Sequence, residues 1–177
     1  MITRRDFLGC SAAAFASLMT PRAFARTHQP GEKTLLFYNI HTGEKLTATY
    51  WAEGQYQAEE LAAINNIMRD HRSREMINMD LKLLELLHQL QMRTGKSGHY
   101  EIISAYRSPA SNKYLRAKHS GVAKRSLHMR GKAIDIRQPG VELKHLRQVA
   151  LKMHAGGVGY YPDSNFIHVD TGRPRFW

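Results

Sequence analysis

Two runs rich in β-branched and aromatic residues, Thr34–Ile40 and Lys45–Trp51, flank His41-Thr-Gly-Glu44 and predict a hairpin. The apolar period then changes. Leu61, Ala62, Ile64, Ile67 and Met68 recur at helical spacing, which predicts a helix from Gln57 to about His71. A second helix is expected over Leu81–Arg93, N-capped by Asp80, with Leu83, Leu84, Leu87 and Leu90 buried and Gly95 as its stop. Tyr100–Tyr106 reads as a central strand that delivers Arg107-Ser-Pro at its end. Ser108 as cap and Pro109 at the first helical position then predict a short helix to about Lys118. The alternation Ala133-Ile-Asp-Ile136 predicts a short strand, Val141–Met153 a helix, and Phe166–Asp170 a last strand. Glycines in Ala155–Tyr161 indicate close backbone approach in a strand or tight turn.

These elements fit one domain with a real core, as expected for 177 residues. The first 25 residues read differently. Thr3-Arg-Arg-Asp-Phe-Leu8 is a twin-arginine pattern, the apolar run Cys10–Met19 is too short to span a bilayer, and Ala23-Phe-Ala25 is a small-x-small cleavage site. A twin-arginine signal peptide over 1–25, followed by a single domain over 26–177, is therefore expected, with export to the periplasm and no lasting membrane insertion. Cys10 is the one cysteine, so the mature chain has neither disulfides nor thiolate-bound metal. The net charge of +11 calls for an acidic partner, and it stays strongly positive once the leader is removed. Export argues against nucleic acid and for the anionic polymer of that compartment, the cell wall.

The candidate chemistry gathers at the end of the chain. His128 lies in a turn-like stretch that Gly131 closes, Asp135 lies in the short strand, and His168 lies in the last strand. Two imidazoles and a carboxylate would give zinc three protein ligands and leave one position open, the arrangement of a catalytic site. Spacing alone is equally met by a partly buried histidine beside a paired aspartate. Strand period places His168 and Asp170 on one face, where Asp170 would orient a ligand or take a proton from activated water. Arg107, where a strand hands over to a helix, suits a substrate carboxylate or an oxyanion, although a surface arginine is unremarkable in so basic a chain.

Taken together, Tyr106-Arg-Ser-Pro-x-x-Asn112, Ser126-x-His128-x-x-Gly131-x-Ala133-x-Asp135, Gly157-Val-Gly-Tyr-Tyr161 and Phe166-x-His168-x-Asp170 resemble the M15 clan of zinc peptidases. The resemblance is closest to the YcbK/MepK-type murein endopeptidases and covers the mature chain to Arg-Phe-Trp177. It implies an α+β fold with a small antiparallel sheet flanked by helices, of the hedgehog/D-Ala-D-Ala peptidase kind. It also implies Zn²⁺ held by His128, Asp135 and His168, with Arg107 as the substrate or oxyanion arginine. Peptidoglycan would be the substrate, and the 3-3 diaminopimelate cross-link the favoured bond. Many clan members carry a glutamate base three residues before the last histidine, and here that position is Asn165. Asp170 is the expected replacement, ahead of Asp163, His119 and His154. A D,D-carboxypeptidase and a non-catalytic wall-binding domain are the competing functions.

Overall fold

The computed structural model describes residues 31–118 and 121–177, so the leader and His119 lie outside the described residues. Strands β1 (Lys33–Asn39) and β2 (Lys45–Ala52) form the expected hairpin. The two-residue β3 (Gln55–Tyr56) follows, then helices α1 (Ala58–Ile67) and α2 (Leu81–Thr94). Next come β4 (Tyr100–Ser104) and α3 (Pro109–Lys118), then a one-turn 3-10 helix over Leu127–Arg130 and β5 (Ala133–Arg137). The chain ends with α4 (Leu143–Lys152), β6 (Gly157–Tyr161), β7 (Phe166–Asp170) and the two-residue β8 (Arg175–Phe176).

All the strands join one sheet in the order β3-β2-β1-β4-β5-β7-β6-β8. The α+β class holds, but the sheet is larger than expected and mixed. β1–β4 and β6–β8 pair in parallel, while the other neighbours are antiparallel. β1 and β4 run the same way because the chain between them folds back through α1 and α2, a crossover that parallel neighbours require.

Two predicted ends move for tertiary reasons. α1 stops at Ile67 rather than near His71, because the Met68 carbonyl accepts the Tyr106 amide and Asp70 turns back on itself. β4 stops at Ser104, where its register against β5 shifts. One face of β5–β7 sends Ile134, Ile136, Ile167 and Val169 into the core with Leu83, Leu87, Leu146 and Val149 of α2 and α4. The other face carries the polar residues of the candidate site. No helix among the described residues is long and apolar enough to cross a membrane.

Candidate metal centre

Sheet register builds the site. Ser104 of β4 lies opposite Asp135 of β5, Asp135 opposite His168 of β7, and His168 opposite Gly159 of β6, so these four residues form one row across one face. His128 arrives from the 3-10 turn. Ser126 caps that turn through its hydroxyl, which accepts the His128 amide, and Gly131 ends it at φ 65°. A side chain at Gly131 would also crowd the Asn78 carbonyl, 2.9 Å from the Cβ position. The result is that His128, Asp135 and His168, all buried, offer ligand atoms within 4.8 Å of one another.

The hydrogen bonds behind the rings decide what those atoms are. His128 Nδ1 lies 2.6 Å from the Ala105 carbonyl, which can only accept, so the ring proton sits there and Nε2 faces the site bare. His168 Nε2 lies 2.9 Å from Asp170 Oδ2, which likewise leaves its Nδ1 bare. These two nitrogens are 3.2 Å apart, and Asp135 Oδ1 is 2.9 Å from His168 Nδ1 and 3.3 Å from His128 Nε2. Three acceptors converge with no proton of their own to share, which requires either an added proton or a cation between them. Two imidazole nitrogens and a carboxylate oxygen make a donor set that suits zinc, and each ring is backed by the outer partner that metal-binding histidines favour.

Without a cation, an added proton on the rings takes that place: burial alone would raise the Asp135 carboxyl, but the charge and hydrogen bonds that protonated His128 and His168 then supply hold it well below the usual range. Burial pulls His168 down, and Asp135 and Asp170 more than restore it, so its net shift is upward. Asp170 is wholly buried and receives five hydrogen bonds. These come from His168, from the Gly157 and Gly172 amides, and from both terminal nitrogens of Arg175, the closest at 2.6 Å. Despite burial, His168 first and then Arg175 and the amides keep its carboxyl far below normal.

Arg107 lies in the short connection between β4 and α3, the strand-to-helix junction the sequence indicates, with its side chain only 12% exposed. One terminal nitrogen lies 3.3 Å from Ser104 Oγ and 3.8 Å from Asp135 Oδ2, the other 3.5 Å from Asn112 Oδ1, and the buried Nε has no partner. Above the cluster opens a cleft of about 510 Å³. Arg107, Arg125 and Arg175 supply its positive charge, Tyr161, Phe166 and Trp177 its aromatic wall, and among the described residues Asp135 is the only side-chain carboxylate on its lining. Asp163 and His154 are not among the lining residues, and Asn165 occupies a turn with φ 53°. Sequence reasoning gave no role to Arg125, Arg175, Tyr161 or Trp177. Alternate glycines at 157 and 159 are a signal for two of them, since they leave room for Arg175 and Trp177. A Cβ at Gly159 would lie 2.7 Å from the Trp177 ring, and one at Gly157 would lie 2.5 Å from Asp170 Oδ2.

An α+β sheet carrying an inward-facing His–Asp–His set at the floor of an open cleft defines a candidate hydrolytic metal centre. The family model Peptidase_M15_2, described as peptidoglycan L,D-endopeptidase MepK, matches residues 27–177, and the chain belongs to this M15 peptidase family. It is 44% identical to the peptidoglycan L,D-endopeptidase MepK of Escherichia coli K12 over 175 residues, covering 98% of this chain and 96% of that one. It is 37% identical over 176 residues to the probable peptidoglycan L,D-endopeptidase MepK of Haemophilus influenzae, covering 98% and 95%. No solved structure matches the chain significantly.

Proposed function

We propose that this protein is a zinc-dependent peptidoglycan endopeptidase of the periplasm that hydrolyses 3-3 cross-links between diaminopimelate residues. The observation that carries the reading is the set of three bare donors, His128 Nε2, Asp135 Oδ1 and His168 Nδ1, at the floor of a cationic cleft. Full-length similarity to relatives named as L,D-endopeptidases supports the substrate class, and an acidic wall peptide suits a cleft lined by three arginines. The twin-arginine leader supports the compartment. The hedgehog/D-Ala-D-Ala peptidase likeness belongs to the same reading.

In this reading the three donors hold the metal. Zinc, when bound, supplies Lewis acidity, activating water near neutral pH and polarising the scissile carbonyl. The chain's own groups do the rest. The Ala105 carbonyl and Asp170 fix the two tautomers, and Arg107, desolvated and with Nε unpartnered, meets a substrate carboxylate or the growing oxyanion. Asp170 is better suited to orienting His168 than to the general-base role expected from sequence. Five donated hydrogen bonds fill the roughly four lone-pair sites of its carboxylate, and it does not face the cleft.

Digestion of purified sacculi followed by muropeptide profiling tests the proposal. The mature protein should deplete 3-3-linked dimers, a chelator should stop it, and added zinc should restore it. Unchanged sacculi with metal-replete protein would reject the reading, and loss of terminal D-alanine alone would replace it with a carboxypeptidase.

A further inference from the structure

We infer that the Tyr161 phenol is a catalytic hydrogen-bond donor of this centre, stabilising the negative charge that builds on the scissile carbonyl oxygen, and that Trp177 positions it. The inference rests on the hydrolytic reading above. Cross-strand pairing sets Gly159 opposite His168 and Tyr161 opposite Phe166, so period 2 brings Tyr161 to the His168 face of the sheet. Tyr161 lines the same cleft as His128, Asp135 and His168. Its ring is held by stacking on Phe166, with centroids 4.6 Å apart and planes at 19°.

The Trp177 indole lies against Gly159 with its centroid 5.2 Å from that of His168, and its Nε1 sits 2.8 Å from the Tyr161 hydroxyl. An indole N–H only donates, so the phenol oxygen accepts this bond and its own proton is left for another acceptor. Among the described residues that oxygen makes no other hydrogen bond. A hydroxyl that already accepts one bond is polarised to donate more strongly. Tyr161 is 37% exposed, so the free proton is open to substrate in the cleft. The phenol keeps its proton throughout; its contribution is one bond that strengthens as the carbonyl oxygen becomes anionic. Gly159 is what makes this possible, since any side chain there would occupy the place of the indole.

The test uses a purified 3-3-linked muropeptide dimer and the mature protein as wild type, Y161F, W177F and the double variant, each with its bound metal measured. Y161F keeps the ring stack and removes only the hydroxyl. It should retain wild-type metal content and KM and lose about 10²–10³ in kcat, the usual cost of one oxyanion donor. W177F should lose less, again in kcat, and the double variant should be no slower than Y161F, because the indole acts through the phenol. Wild-type kcat in Y161F, or metal lost in step with activity, overturns the catalytic role. Additive losses in the double variant overturn the positioning role. An inactive wild type overturns the hydrolytic reading itself, a result distinct from either.

Discussion

His168 is held between two carboxylates, and each gives one ring nitrogen a different task. Asp170 accepts a hydrogen bond from Nε2–H, and Nδ1 is thereby kept bare beside Asp135. The alternation of Phe166–Asp170 made it legible from sequence that His168 and Asp170 share a face. What was not legible is that Asp170 is closed off, because its other donors come from β6, from the turn after β7 and from Arg175 in β8. No local pattern announces such a meeting. Asp170→Asn removes the charge that balances Arg175 and weakens the hold on the His168 tautomer. It should lower zinc affinity 10–100-fold in a competition titration against a chromophoric chelator, while His128→Ala should leave almost no bound metal. Normal affinity in Asp170→Asn would remove the orienting role.

At the scale of elements, the junction of β4 and α3 carries Arg107 and is fixed by contacts from elsewhere in the chain. Asp70, just beyond α1, accepts the Ser108 amide at 2.8 Å and the Arg72 amide at 2.9 Å, and the Arg107 amide reaches the His128 carbonyl at 3.3 Å. Sequence periodicity carried α1 on to His71 because Met68 continues the apolar stripe, and it had no means of seeing that Asp70 is claimed by a residue 38 positions away. Burial would raise the Asp70 carboxyl, but the Ser111 hydroxyl and the Ser108 and Arg72 amides bring it down to about 2. A carboxyl lowered on folding stabilises the fold above its unfolded pKa, near 3.8, and that contribution fades as pH falls towards 2. Asp70→Asn should therefore cost about 2 kcal/mol near pH 7. In urea titrations at stepped pH, the gap from wild type should hold down to about pH 4 and narrow below it. A gap independent of pH would mean that the loss is one of shape rather than charge.

For the whole molecule, the elements were legible and their neighbours were not. Caps, stripes and alternation located the four α-helices and the longer strands of the described residues, since each is a local property of the chain. The parallel β1–β4 pairing joins strands separated by two helices, and the edge strands β3 and β8 are only two residues long, so neither leaves a periodic trace. The candidate ligands were found because their residue types are distinctive. The cleft wall was not, because Tyr161, Phe166 and Trp177 look like ordinary core and edge aromatics until the sheet order brings them together.

The three bare donors have a consequence for the lifetime of the protein. Acceptors forced within 3.3 Å of one another repel when no proton or cation lies between them, and this repulsion sits on β5 and β7, in the interior of the sheet. A cation between them would tie together the 3-10 turn and both strands, and so act as a folding ligand. Zinc at a hundredfold excess over its dissociation constant adds about 2.7 kcal/mol of stability. For a domain of this size, that corresponds to a rise in Tm on the order of 5–10 °C. Thermal scans should show the rise in wild type and lose it in His128→Ala. Metal supply would then govern how long each molecule stays folded.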